Sequence, residues 1–211
     1  LPLSAPADRQ LLHLRDIELR GYQRADGLFD IEAHLTDTKS YGFPNEGRGW
    51  IEKGEALHGM WIRLTIDDEM LIHACEASSD FTPYDICPQA APNFARLAGL
   101  RIGPGFNKAV KERVGGVLGC THLREVLGQV ATVAFQTLYP VRRKREREAA
   151  AKRAEELRAQ GLAPEQASPK PNPLIGTCLA YAPDSPVTLA RFGEVEPAPP
   201  DGFGLRKEVE V

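Results

Sequence analysis

The chain has 211 residues, 42% of them hydrophobic, and a formal net charge of −3. That size supports one sizeable core with appendages, and the near-neutral balance exerts no global pull toward nucleic acid or an anionic membrane. No apolar run approaches the roughly 18 residues needed to cross a bilayer. The first ten residues lack the basic region and apolar stretch of a secretory signal. The four cysteines (Cys75, Cys87, Cys120 and Cys178) are widely spaced with no C-x-x-C pair, so reduced thiols in a cytoplasmic protein are expected.

Residues 1–14 read as a loose arm. Residues 15–24 then alternate, with Ile17 and Leu19 on one face. Ala25-Asp26-Gly27 is a turn signal, because Asp-Gly tolerates positive φ. The chain returns through FDIEAHLTDTK, residues 29–39, in which Phe29, Ile31, Ala33 and Leu35 share one parity while Asp30, Glu32, His34, Thr36 and Thr38 share the other. Period-2 patterning of this length predicts a strand and an antiparallel hairpin. Asp37 and Lys39 then fall on the parity that had been apolar, where a strand either leaves its sheet or builds a site. Residues 40–56 read as a Gly-rich, charged loop.

Met60, Ile62, Leu64 and Ile66 open a second hairpin, turned at Asp67-Asp68-Glu69 and returned through residues 70–78; the pattern leaves the buried face of this last strand open. A Pro-punctuated connection, residues 80–92, leads to short helices predicted at 93–100 and 107–114. A long helix follows Gly119-Cys120-Thr121. Its Leu123, Val126, Leu127, Val130, Ala131 and Ala134 recur at helical spacing and mark a buried face. Pro140 is expected to kink or end it. Residues 142–160 are helical in propensity but nearly all charged, with both signs interleaved for pairing along the surface. Residues 162–211 are rich in Pro, with 174–181 and 187–192 as candidate strands or extended pieces. Strands first and helices later predicts an α+β fold, with two antiparallel hairpins in one sheet and helices on one face. The expected division is an arm at 1–14, a core at 15–140, a charged helical extension at 141–161 and an extended C-terminal segment at 162–211 packing on the core.

Two constellations carry candidate chemistry. The first is Glu32, His34, Asp37 and Lys39. A histidine beside carboxylates serves as a general base near neutral pH, and a lysine holds a phenolate or carboxylate, or donates a proton. The plain alternative is a solvated strand face with a surface Asp–Lys pair. The second is Cys120-Thr121-His122 at the start of the long helix, with Thr121 as the expected N-cap. The helix dipole there favours a neutral imidazole and a lowered thiol pKa; the plain alternative is an ordinary capped helix start. Glu125 lies one turn beyond His122, placed to orient it or to face solvent. His58, in a loop before the second hairpin, matters only if folding brings it to His34 or His122.

His34, Asp37, His58, Cys120 and His122 are permissible zinc or iron ligands, although none of their spacings is a metal signature. Gly103-Pro104-Gly105 and Gly115-Gly116 lack the context of a phosphate loop. There is no G-x-S-x-G elbow. The basic residues 142–147 alternate with Glu and have no aromatic neighbours, which favours a solvated helix or a dimerising arm over a nucleic-acid contact.

Taken in order, EAHLTDTK, GEALHGMWIRLTIDD, PYDICP, GLRIGPGF, GGVLGCTHLREVL and AFQT resemble a bacterial family catalogued as a domain of unknown function. The resemblance runs from about residue 15 to 137, with a weaker echo at 176–181. It implies no established reaction, and it associates the chain with the breakdown of aromatic or steroid-like compounds.

The residues and the resemblance together lead to an expected small-molecule enzyme that uses acid–base chemistry without a cofactor. The expected class is a lyase that breaks a C–C bond of a hydroxymethyl-bearing aromatic substrate in a retro-aldol sense and releases a small aldehyde. In this expectation His34 is the base, Asp37 its partner, Lys39 an electrostatic stabiliser and His122 the second acid or base. Glu32, His58, Cys120 and Thr121 line the substrate, with Tyr41, Trp61 and Tyr84 as an aromatic wall. The alternatives are a zinc- or iron-dependent hydrolase or lyase using His34, His58 and His122, and a non-catalytic accessory protein that dimerises through residues 142–160. Neither nucleic acid nor membrane is an expected partner.

Overall fold

Asp26 and Gly27 reverse the chain between two eleven-residue strands, β1 (His13–Gln23) and β2 (Phe29–Lys39), and the computed structural model centres their antiparallel pairing on Asp26. Gln23 faces Phe29, Ile17 faces Leu35, Arg15 faces Asp37 and His13 faces Lys39. The structure describes residues 3–161 and 174–193. The second hairpin supplies β5 (Ala56–Ile66) and β6 (Ile72–Phe81), after a small two-stranded ladder of β3 (Phe43–Asn45) and β4 (Gly49–Ile51). Residues 40–56, expected to be loop throughout, therefore hold a miniature hairpin. It is organised by Asn45, whose side chain accepts the N–H groups of Gly47 and Arg48. The main sheet has the order β1-β2-β5-β6, all antiparallel. The β5–β6 turn is fixed by Asp67, whose carboxylate accepts the N–H groups of Glu69 and Leu71.

One face of this sheet is apolar because strand alternation sends every second side chain the same way. Phe29, Ile31, Ala33 and Leu35 of β2 share that face with their partners Ile66, Leu64, Ile62 and Met60 of β5, and all eight are buried. The open question on β6 is resolved in favour of the parity of Cys75, which is buried opposite Leu64. Irregular pairing near Ile66 also turns Ile72 inward. Three elements cover the face. The first is a 3-10 segment over Cys87–Leu97, burying Ala91, Phe94 and Leu97. It takes the place of the α-helix predicted at 93–100 and ends at Leu97, before Gly99 with its positive φ. The second is α1 (Phe106–Val114). The third is α2 (Thr121–Ala159), which buries Leu123, Val126, Leu127, Val130, Ala134 and Leu138.

The helix α2 runs through Pro140 instead of ending there. The missing N–H of a proline costs one hydrogen bond; the apolar stripe up to Leu138 and the strong helix formers beyond it maintain the helix. Arg145, on the charged stretch, pairs with Asp68 and Glu69 of the β5–β6 turn. The sheet followed by helices makes the fold α+β.

The chain divides into two compact units, residues 1–149 and 150–211. In the second, a 3-10 turn (Leu179–Tyr181) precedes α3 (Pro186–Phe192). The expectation of strands or extended pieces there is corrected: Ser185 accepts the N–H of Thr188 as an N-cap and Pro186 takes the first helical position, a sequence pairing that starts helices. The rest of the Pro-rich segment lies outside the described residues. Among the described residues no helix is long and apolar enough to cross a membrane.

Candidate functional site

The apolar face of β2 ends in a carboxylate. Asp37 continues the parity of Phe29–Leu35 and is 1% exposed. A buried carboxylate has to be satisfied by donors, and the two strands flanking β2, β1 and β5, supply them. Arg15 of β1, directly across the ladder, presents Nε at 2.8 Å to Oδ1 and Nη2 at 2.8 Å to Oδ2, a bidentate pair. His13, two residues earlier on the same face, places Nε2 3.1 Å from Oδ1. His58 of β5, the ladder partner of Asp37 on its other side, places Nδ1 2.9 Å from Oδ2. A carboxylate only accepts, so both ring nitrogens carry the proton in these contacts. The β2–β5 pairing shifts register just beyond Asp37, and such irregularities re-aim side chains at sheet ends.

The first turn of α2 closes the cluster. The His122 ring lies against that of His58, with centroids 4.0 Å apart and a 36° tilt. Glu125, one turn on, accepts Arg15 Nη1 at 3.0 Å. The carbonyl of Cys120 accepts the first helical hydrogen bond, from Arg124, so Cys120 stands at the capping position expected for Thr121, which is the exposed first helical residue. The Cys120 thiol sits 3.8 Å from the Met60 sulfur and 3.9 Å from His122 Nδ1.

The electrostatics of this cluster favour an ionised Asp37 and a neutral His58. Burial of Asp37 opposes its ionisation, but the Arg15 hydrogen bonds and charge, helped by His58 and His13, hold its carboxyl below the usual range. Burial pushes the His58 imidazole down and the neighbouring His122 adds to this; the Asp37 carboxylate pulls the other way and only partly compensates. His58 is thus a neutral imidazole near pH 7, with Nδ1 carrying the proton that Asp37 accepts.

Of the residues predicted from sequence, the structure brings Asp37, His58, Cys120 and His122 together. It does not bring His34 or Glu32 to them. Both lie on the opposite face of the sheet, because their parity differs from that of Asp37. There the His34 ring stacks on Trp61 at 3.8 Å with a 9° interplanar angle, and Glu32 binds Arg63, which also binds Glu76. Trp61 is held on that face by a hydrogen bond to Asp80. The expected aromatic wall of Tyr41, Trp61 and Tyr84 is therefore not assembled around the histidines. Tyr41 packs instead against Phe43, and Tyr84 is exposed in the connection to the 3-10 segment. Lys39 stays on the Asp37 face, one side-chain position further along. The metal set of His34, His58 and His122 is likewise not formed; the group whose donor atoms converge, all within 4.8 Å of one another, is Asp37, His58 and His122.

Sequence reasoning missed His13 and Arg15, which it assigned to an arm and to an unremarked strand start. The signal was present: closing the first hairpin on Asp26 places Arg15 opposite Asp37. Glu125 was expected to orient His122 or to be solvated, and it binds Arg15.

No curated protein and no solved structure matches the chain significantly. A family model does, spanning residues 13–136, which takes in both hairpins and the Asp37 cluster through Glu125. That match covers more than half of the 211 residues, and the chain belongs to the family described as protein of unknown function (DUF2889).

Proposed function

We propose that this protein is a small-molecule enzyme working by acid–base chemistry, with His58 as general base, Asp37 as the residue that holds and orients it, and His122 as the second proton carrier. The observation carrying this reading is the chain Asp37–His58–His122: a buried, ionised carboxylate fixes one imidazole, whose ring packs against a second. A carboxylate–histidine pair of this kind is the usual arrangement for a base active near neutral pH.

The reaction class we favour is a lyase of the retro-aldol type. His58 Nε2 takes the hydroxyl proton of a β-hydroxy substrate. The C–O bond becomes a carbonyl as the C–C bond breaks, and the electron pair passes to a carbon conjugated with an electron-withdrawing group of the substrate itself. His122 delivers a proton to that carbon, and a small aldehyde leaves. Net return of a proton from His58 to His122 by way of solvent restores both. The step is balanced without an oxidant or reductant. The four free thiols fit a reducing cytoplasm.

A metal-dependent hydrolase or lyase is the second reading, favoured by the convergence of Asp37, His58 and His122 donors. It ranks lower because the Asp37 oxygens already accept four N–H groups, filling the positions a carboxylate offers. A metal would have to compete with the Arg15 guanidinium.

The test is a screen of hydroxymethyl- and β-hydroxy-substituted aromatic compounds with the purified protein, read by aldehyde release, followed by His58→Gln on any active compound. Loss of turnover supports the base assignment. Undiminished turnover in His58→Gln sinks it, and activity that tracks a stoichiometric metal and vanishes with a chelator moves the assignment to the second reading.

A further inference from the structure

We infer that Lys39, with the rings of Tyr41 and Phe43, forms the anion-recognition end of this same site, and that the substrate class is a small aromatic monoanion. The inference rests on the reading of the His58 centre as the place of reaction and adds what that centre acts upon.

The register carries the first part. His13 faces Lys39 and Arg15 faces Asp37 on the β1–β2 ladder, so Lys39 follows Asp37 on the same face, roughly 6.6 Å further along by the rise of two strand residues. Its backbone is fixed on the outer side as well, since its carbonyl accepts the Gly54 N–H at 2.9 Å. The side chain therefore departs from a fixed strand position next to the cluster, not from a loose loop.

The charge census carries the second. Two arginines at this end are already committed, while Lys53 stands exposed in the turn before Gly54. Arg15 binds Asp37 and Glu125, and Arg48 binds Glu55 and the Ala56 carbonyl. Among the described residues no carboxylate lies within ion-pair distance of Lys39, and no acceptor takes its three N–H donors. Asp37 cannot serve, being filled by Arg15, His13 and His58.

The surroundings carry the third. The Lys39 ammonium stands 5.6 Å from the centroid of the Tyr41 ring and 5.6 Å from that of Phe43, and the two rings meet edge to face at 6.1 Å. Ring faces hold a cation without consuming its hydrogen-bonding capacity, and the same rings offer flat apolar surface to an incoming arene. A carboxylate or phenolate on Lys39 would lay its ring against Tyr41 and Phe43, on the strand face that also carries Asp37.

The experiment is calorimetric titration of the whole protein with four probes: benzoate, 4-nitrophenolate in mildly alkaline buffer, benzamide and acetate. Wild type, Lys39→Met and Lys39→Arg are compared. Benzoate or 4-nitrophenolate is expected to bind wild type about tenfold or more tightly than benzamide, which lacks the charge, and than acetate, which lacks the ring. Lys39→Met is expected to abolish that advantage and Lys39→Arg to retain most of it. Which anion binds better separates a carboxylate from a phenolate substrate. Equal binding of benzoate and benzamide, no binding of either anion to wild type, or an anion preference that survives Lys39→Met would overturn the inference. Should Lys39→Met fail to fold, the wild-type comparison of benzoate with benzamide still decides it. Binding is read without turnover, so a catalytically silent His58 and an indifferent Lys39 are separate failures.

Discussion

His58 Nδ1 lies 2.9 Å from Asp37 Oδ2, and the two residues are direct partners on the β2–β5 ladder. A base oriented by its immediate cross-strand neighbour is held by the sheet itself, so its position does not depend on a loop. His58→Gln preserves a donor near Asp37 but removes the base, and it should lower kcat/KM by about 10²- to 10⁴-fold on any substrate the enzyme turns over. His122→Gln has a different signature. His122 contributes to the depression of His58, so its removal should raise the His58 pKa and move the acid limb of the rate profile to higher pH. Titration of the His58 ring resonances by NMR checks the direction; an unmoved or lowered His58 pKa in His122→Gln contradicts the coupling.

Asp37 and Arg15 form the structural half of the same cluster. Without Asp37, Arg15 is partly exposed and keeps Glu125, so its charge is not stranded, and the loss is that of hydrogen bonds to a charged group, about 1.5–3 kcal/mol. Asp37→Ala leaves Arg15 and two histidine N–H groups without their shared acceptor, so a destabilisation in that range is expected in urea denaturation. Arg15→Lys keeps the charge but loses the bidentate fork and should lie between wild type and Asp37→Ala. If Asp37→Ala unfolds at the wild-type urea midpoint, the carboxylate is not buried among donors as described.

Much of this architecture could be read from the alternation of residues. The two hairpins, the apolar parity of residues 29–35 and the Leu123–Ala134 stripe follow from periodicity alone. The displacement of Asp37 and Lys39 onto the apolar parity was also visible. The partner of Asp37 was harder to see, because residues adjacent in sequence suggested His34, whereas strand geometry sends a neighbour three positions away to the opposite face. The true partners are set by register across β1 and β5 and by the docking of α2, neither of which is a local property. His34 therefore makes a clean contrast. His34→Ala loses a stack on a half-exposed Trp61 and should change stability by about 1 kcal/mol or less, with kcat/KM unchanged. A His34→Ala variant as inactive as His58→Gln would mean that the chemistry lies on the other face of the sheet.

The docking of α2 on β1 has its own test. A side-chain carbon at Gly21 would overlap the Thr137 hydroxyl and methyl groups, so the absence of a side chain there lets the helix approach the strand. Gly21→Ala should cost about 1–3 kcal/mol, the usual range for overpacking, and Thr137→Ala should relieve much of that cost in the double variant. Additive effects of the two substitutions would show that strand and helix do not meet at this point.

The pH dependence of stability distinguishes the two halves of the cluster by sign and window. His58 has a folded-state pKa below its ordinary value of about 6.5. The unfolded chain therefore takes up a proton first as pH falls below about 6.5, and stability declines from there until the folded-state ring is itself protonated. Asp37 is also depressed, below the ordinary carboxylate value of about 3.9. Its contribution is complete above that value and is lost only as pH falls through the lower folded-state pKa. Two separated declines are thus expected in denaturation midpoints measured from pH 8 to pH 2 at constant ionic strength. In His58→Gln the upper decline should shrink while the lower one remains. If the upper decline keeps its full size without His58, another group titrates there and the assignment of a neutral, buried base to His58 is wrong.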